Sequence, residues 1–281
     1  MKNVATIYCG GITISEETKA LEGVYNISTV LIDGEEVKLI NEDITSEEFY
    51  NELRQGKRFK TSLPKLDMLE DLFERLLKEY NEIIYITLSS ELSGTFQSGV
   101  LLANEVNETR IKVFDSLTAI EGGELFVHTA QKLSQEGKNA EEILKELETK
   151  RDKSIIYFKV DDIDYLVKGG RIGKAAGSVA NFLSIKPVLT LNPNGFIDTF
   201  AKVRNSKKLE KKLIEVFDNF NINENSVFTI VHSYEDLTVA NKFKEKLEER
   251  FPQATYRINY LSPIIGTHVG CNVIGICATN Y

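Results

Sequence analysis

The stretch Tyr85-Ile86-Thr87-Leu88-Ser89-Ser90-Glu91-Leu92-Ser93-Gly94-Thr95-Phe96 most constrains what this chain can fold into. A β-branched and aromatic run ends in small hydroxyl residues and glycine, after which a helical pattern begins. That order predicts a strand, a tight turn and a helix N-terminus. The first N–H groups of such a helix lack intrahelical partners and carry the positive end of its macrodipole, and Ser89, Ser90, Ser93 and Thr95 add hydroxyl donors around them. The place suits a carboxylate or a phosphate. The same residues also make an ordinary N-cap and βα turn, because Ser and Thr are favoured caps.

Around this stretch the chain alternates strands and helices. A strand is predicted over residues 3–8, and strands over 27–32 and 36–40 flank Asp33-Gly34, a hairpin signal. A helix follows over 45–53. Thr61-Ser62-Leu63-Pro64 supplies a hydroxyl cap and a first-turn proline for a helix whose Leu66, Leu69, Leu72, Phe73 and Leu76 bury one face. After it come a strand over 83–88, a helix over 96–106, a strand over 111–114 ending in Asp115-Ser116, and helices over 122–135 and 140–150. Such alternation implies a parallel sheet, whose ligands sit at the carboxyl ends of the strands, where Ser93 and Ser116 fall. A charged stretch at 148–154 suggests a boundary, giving domains 1–153 and 154–281.

The second half has a different grammar. A strand over 155–160 leads to a short helix over 162–168 that Gly169-Gly170 stops, and Arg171-Ile172-Gly173 opens a helix rich in small residues over 175–183. Strands over 185–191 and 196–203 flank Asn192-Pro193-Asn194-Gly195, whose final Asn-Gly favours a hairpin. A helix over 209–217, a strand over 226–232, a helix over 237–250 and strands over 256–259 and 273–278 complete the chain. The predicted fold class is therefore two-domain α/β, with a mainly parallel sheet in the N-terminal domain and a mixed sheet in the C-terminal one.

Composition narrows the function. The 281 residues are 42% apolar, enough for two modest cores, and a net charge of −8 argues against a general nucleic-acid binder. Three cysteines, Cys9, Cys271 and Cys277, without C-x-x-C spacing suggest neither a disulfide framework nor a zinc site, which points to a reducing cytoplasm. No stretch reads as a signal peptide or a membrane span. A serine hydrolase using Ser93, His268 and Asp115 would lack the G-x-S-x-G nucleophile elbow. No G-x-x-x-x-G-K-[ST] loop is present to cradle ATP. Arg204, Lys207, Lys208, Lys211 and Lys212 form a basic stripe opposite Leu209, Leu213, Val216 and Phe217. It reads as a solvated face, or as a dock for an acidic protein surface or an anionic membrane. His128 and His232 read as structural.

Six segments, in order, carry a resemblance. Thr61-Ser62-Leu63-Pro64, residues 86–95, Phe114-Asp115-Ser116, residues 165–172, Ile185-Lys186-Pro187-Val188-Leu189 and Lys202-Val203-Arg204 are similar to the DegV family of fatty-acid-binding proteins. The resemblance implies a two-domain fold enclosing a long-chain fatty acid between the domains. It further implies the role of acyl-carrying subunit of a bacterial fatty acid kinase, with no catalytic activity of its own, no cofactor and no metal. The residues that match family contacts are Thr61 and Ser93 on the carboxylate, within the turns that also hold Ser62, Gly94 and Thr95. His268 matches a histidine near the head group, and Arg204 an arginine near the entrance. Arg171 belongs to the Lys168-Gly169-Gly170-Arg171 turn, beside the ligand or a partner. Phe96, Val100, Ala176, Val179, Ala180 and Leu183 are candidates for an apolar wall.

Two departures stand out against that family. Tyr8-Cys9-Gly10-Gly11 replaces an Asp-Ser-Thr-type loop, and His268-Val269-Gly270-Cys271-Asn272 replaces His-x-Gly-Pro-Gly. They keep open a second reading, a carrier or sensor of another apolar small molecule without a kinase. Residues 266–270 read as a flexible polar loop.

Overall fold

Strands that are apolar on both faces need cover on both, and the first half of the chain supplies it with one-sided helices. The computed structural model describes residues 2–40, 43–173, 187–202 and 206–281. In chain order the first part runs β1 (Lys2–Cys9), α1 (Glu16–Lys19), β2 (Val24–Ile27), β3 (Val30–Asp33), β4 (Glu36–Leu39), α2 (Ser46–Arg54), β5 (Lys60–Ser62), α3 (Leu66–Leu76), β6 (Tyr80–Thr87), α4 (Thr95–Asn107), β7 (Ile111–Asp115), α5 (Glu124–Gln135) and α6 (Ala140–Thr149). The second part runs β8 (Ser154–Lys159), α7 (Asp164–Lys168), β9 (Pro187–Leu191), β10 (Ile197–Lys202), α8 (Ser206–Asn219), β11 (Ser226–His232), α9 (Thr238–Arg250), β12 (Thr255–Tyr260), α10 (Pro263–Val269) and β13 (Ile274–Asn280). Contacts divide the chain into two units, residues 1–45 with 58–152 and residues 46–57 with 153–281.

In the first unit, β2-β1-β6-β7 form a parallel sheet. The chain leaves β1 for β2 on one side and returns to β6 on the other, so the winding direction reverses between β1 and β6. Ligands of open α/β sheets bind outside the carboxyl ends at such a reversal. A small antiparallel sheet, β4-β3-β5, accompanies it, and its β3–β4 hairpin turns at Gly34, at φ +62°. The single strand expected over 27–32 is two strands in different sheets. The crossing is permitted by Gly10, where a Cβ would lie 2.9 Å from the Thr29 backbone nitrogen.

The second unit holds a mixed sheet in the order β10-β9-β8-β13-β11-β12, antiparallel except between β11 and β12. The hairpin before β10 forms as its sequence predicts. Gly195 sits at φ +82°, and the Asn192 side chain accepts from the Asn194 and Phe196 N–H groups. Phe217, Phe228 and Phe251 are buried together at the centre of this unit's core.

Residues 46–57, which the sequence reading assigns to the first domain, cluster with the second unit. The reason is visible in α2, which buries Phe49, Tyr50 and Leu53. Tyr50 donates to the Leu261 carbonyl at 3.1 Å, and Arg54 donates to the Ser233 carbonyl at 3.1 Å. Gly266 of α10 provides the space, since a Cβ there would meet the Phe49 ring at 2.9 Å and the Tyr50 ring. Gly266→Ala is therefore expected to destabilise the protein by roughly 1–3 kcal/mol through overpacking, and Tyr50→Phe by about 1 kcal/mol through one lost hydrogen bond. Urea unfolding of both variants checks the order of these two effects.

Candidate functional site

The carboxyl ends of β1, β6 and β7 are tied together by their own polar groups. The buried Cys9 sulfur at the end of β1 accepts the Leu88 N–H at 3.2 Å, and burial pushes its thiol pKa up, so the group stays protonated. Asp115 at the end of β7 accepts the Ser90 N–H at 3.1 Å and the Leu117 N–H at 3.0 Å. Ser89 N–H reaches the Thr118 carbonyl at 2.7 Å. Arg151 holds the far side, donating to the Asp115 carbonyl at 2.8 Å with its guanidinium 4.6 Å from the Phe114 ring centre. Both bonds to the Asp115 carboxylate go to one oxygen, Oδ1, so Asp115 ties the loop after β6 to the loop after β7.

Ser93 is the last hydroxyl before α4. Its N–H donates to the Ser89 carbonyl at 3.2 Å, its Oγ accepts the Thr95 N–H at 3.3 Å, and the Ser93 and Thr95 hydroxyls pair at 2.8 Å. Gly94 is the N-cap residue, and the first helical bond runs from Ser98 N–H to its carbonyl. Phe96 and Gln97 N–H groups therefore open the helix with no carbonyl ahead of them to take their hydrogens. Thr61 and Ser62 do not cap α3 as the sequence reading expected. They form β5, paired with Leu31 and Val30, and the N-cap of α3 is Lys65, without a side-chain cap bond. Freed from capping, Thr61 is half-buried on a strand whose continuation reaches the α4 turn: a Cβ on Gly94 would sit 3.9 Å from both Cδ atoms of Leu63. The first unit thus brings the segment of Thr61 beside the segment of Ser93, in a neighbourhood of neutral donors.

In the second unit, residues 266–270 are not a flexible loop. Pro263 starts α10, and His268 stands half-buried in its last turn. A Cβ on Gly169 would lie 2.9 Å from His268 Nδ1, and one on Gly270, at φ +79°, would lie 2.8 Å from the Tyr165 ring. The glycines of residues 165–172 and 268–270 are thus the two halves of one close packing of α7 on α10. Burial, and secondarily the Arg171 charge, lower the His268 pKa to about 4, so its imidazole is neutral at pH 7. Arg171 donates to the Gly169 carbonyl at 2.5 Å, which anchors the turn.

Other expectations fare differently. His128 meets the Thr18 hydroxyl at 3.3 Å, a structural contact. His232 is buried against the Tyr260 ring, but its Nδ1 has no partner among the described residues, so it is not the fully satisfied histidine its strand-end position suggested. Arg204, Ala176, Val179, Ala180 and Leu183 lie outside the described residues, as do the side chains of Lys207 and Lys208. Of the basic stripe, Lys211 faces Glu215 at 3.9 Å and Lys212 lies over the Phe200 ring. Among the described residues no cluster of metal-ligating side chains occurs, and no helix is long and apolar enough to cross a membrane. Sequence reasoning missed Cys9, Arg151 and Tyr165. The signals were a thiol at a strand end, an arginine in a charged linker, and an aromatic opposite a glycine.

A profile of the family described as "Uncharacterised protein, DegV family" matches residues 10–280. The chain belongs to the DegV family. A DegV domain-containing protein of Clostridium perfringens is 33% identical over 243 residues, 84% of this chain and 83% of that one. The crystal structure of DegV from Bacillus subtilis, described as a fatty acid binding protein, aligns over 100% of both chains with a TM-score of 0.89 and 29% identity. A DegV family protein from Thermus thermophilus, described by its fatty acid binding, aligns over 99% of this chain and 100% of its own, with a TM-score of 0.89 and 26% identity. The α/β architecture, with its parallel and mixed sheets, is the DegV fold.

The neutral His268 carries a pH signature. Its unfolded pKa is near 6.5 and its folded pKa about 4, so the unfolded chain binds the proton first as pH falls. Stability is full above pH 6.5 and declines between about 6.5 and 4, by about 3 kcal/mol, less where solvent screens the half-buried ring. Urea unfolding at pH 7.5 and 4.5 is expected to show this decline, and His268→Gln is expected to reduce it.

Proposed function

We propose that this DegV protein binds a long-chain fatty acid and presents its carboxylate to a separate fatty acid kinase, which uses ATP to form the acyl phosphate. The observation that carries the reading is the convergence, at the reversal point of a parallel sheet, of the Thr61 segment and the Ser93 turn on the N-terminus of α4. A carboxylate there accepts from the Ser93 hydroxyl and the first N–H groups of the helix, within the positive field of its dipole. No buried lysine is needed, and the exchange of a fatty acid does not strand an unpaired charge. In the transfer, a carboxylate oxygen forms a bond to the γ-phosphorus of ATP as the bond from that phosphorus to the bridging oxygen breaks, leaving ADP. The chain contributes no ATP-cradling loop, so its part is to hold and orient the acceptor oxygen. The fatty-acid-binding relatives from Bacillus subtilis and Thermus thermophilus support the ligand class. Cysteines that form no disulfide suit a cytoplasmic carrier.

The head-group role of Ser93 is tested by ligand chemistry. A hydrogen bond to a charged acceptor contributes about 1.5–3 kcal/mol, so Ser93→Ala is expected to weaken fatty acid binding about tenfold or more. It is expected to weaken binding of the matching fatty alcohol much less. Losing the bond from the Thr95 N–H costs about 1 kcal/mol of apo stability, which thermal unfolding reads separately. Equal losses for acid and alcohol, or none for either, would remove Ser93 from the head-group site.

A further inference from the structure

Large apolar side chains left exposed are few among the described residues, and three of the seven fall within residues 63–68: Leu63, Leu66 and Met68. These sit within one turn of the α3 N-terminus, directly after the strand that carries Thr61. Leu66 is 51% exposed, although Leu69, Leu72, Phe73 and Leu76 of the same helix are buried, so the core does not account for it. Leu63 lies beside Gly94, and the exposed face of α4 continues through Gln97 to Leu101, which is 72% exposed. Spacings of three and seven residues put Gly94, Gln97 and Leu101 on one face, about 10 Å from end to end. Exposed Leu63, Leu66 and Met68 on one side and Leu101, beyond the polar Gln97, on the other therefore form a strip that borders the Ser93 turn.

The strip has an acidic flank. Asp67, Glu70, Asp71 and Glu74 are all exposed and recur at i, i+3, i+4 and i+7, which places them on one face of α3. Asp67 has a local reason to be there, since it accepts the Met68 N–H at 2.8 Å near the helix N-terminus. Glu70, Asp71 and Glu74 lie beyond the first turn, where the dipole gives an acid no benefit. Exposed leucine and methionine beside a mainly acidic helix face, with Lys65 at the N-cap and Arg75 in the last turn as its exposed cations, mark an interaction surface rather than a solvated face.

Charge selects the occupant. An anionic membrane would be repelled by the acidic face of α3, and a second copy of a chain with net charge −8 would bring the same acidic face against it. We infer that this strip docks a separate protein chain whose surface presents basic residues around an apolar socket. It rests on the proposed function, because a chain docked beside the Ser93 turn is the one that reaches the carboxylate. The surface supplies affinity and orientation and takes no part in holding the fatty acid.

The test uses the full-length protein loaded with fatty acid and the purified ATP-binding fatty acid kinase subunit from the same bacterium. Acyl phosphate formation is followed as the concentration of loaded protein is varied. One variant carries Leu66→Ser with Met68→Ser, the other Glu70→Lys with Glu74→Lys. Each is expected to raise the KM for loaded protein about tenfold at unchanged kcat, with unchanged fatty acid affinity. Added salt is expected to raise the KM of the wild type and to raise that of the charge variant less. If the apolar variant fails to fold, the charge variant decides alone.

An unchanged KM in the charge variant, or a loss of fatty acid affinity in either, overturns the docking surface while the proposed function stands. No acyl phosphate from the wild type overturns the proposed function and the docking surface with it. Two controls assign other occupants. Wild-type sedimentation with phosphatidylglycerol vesicles that the variants lose would assign the strip to a membrane, and a wild-type dimer that the variants dissociate would assign it to a second copy. Either result contradicts the inference.

Discussion

The site depends first on the carboxylate of Asp115. By accepting backbone N–H groups from the loops after β6 and β7, it holds two strand ends in one shape, and Cys9 joins the third by accepting from Leu88. Hydrogen bonds to a charged acceptor contribute about 1.5–3 kcal/mol each, enough to offset the left-handed backbone at Leu117, which costs roughly 1–2 kcal/mol. That residue, at φ +53°, is the sign that the turn is held from outside its own preference. The Ser93 turn inherits its position from this clamp, and α4 begins where the turn points it.

Much of this was legible in the sequence. Strand, hydroxyl-rich turn and helix in residues 85–96 are read from β-branching, small residues and spacing, and the helix begins within one residue of its expected start. The hairpins at Gly34 and Gly195 follow from their turn residues alone. Legibility failed where tertiary packing outweighed local preference. Ser62 has the chemistry of a cap but spends its backbone on a strand with Val30, a partner far away in sequence. The sequence predicts a loop at residues 266–270, inside α10, because glycines and polar residues are poor helix formers. Their smallness is a packing requirement, with Gly266 accepting α2 and Gly270 accepting the Tyr165 ring. The placement of α2 in the second unit had the same origin, since a helix shows which face it buries but not against what.

The two units handle charge in a common way. In the first, the start of α4 offers hydroxyls and backbone N–H groups. In the second, the imidazole of His268 is kept neutral by burial and by Arg171, so that it can donate a hydrogen bond without carrying a proton that pH would remove. Neutral donors suit a carrier, whose ligand must leave as well as enter. A buried ion pair would hold the anion more firmly in place and leave an uncompensated charge behind on release.

The central claim is that an ionised carboxylate rests on the N-terminus of α4 within the Ser93 turn. Nuclear magnetic resonance of the amide-labelled protein titrated with a carboxyl-13C long-chain fatty acid addresses it directly. The account predicts one bound carboxyl signal that titrates below the range of the free acid in a lipid phase, with the largest amide shifts at Ser93, Thr95, Phe96 and Gln97. A bound carboxyl that titrates above that range, or amide shifts that leave the start of α4 untouched, would contradict it.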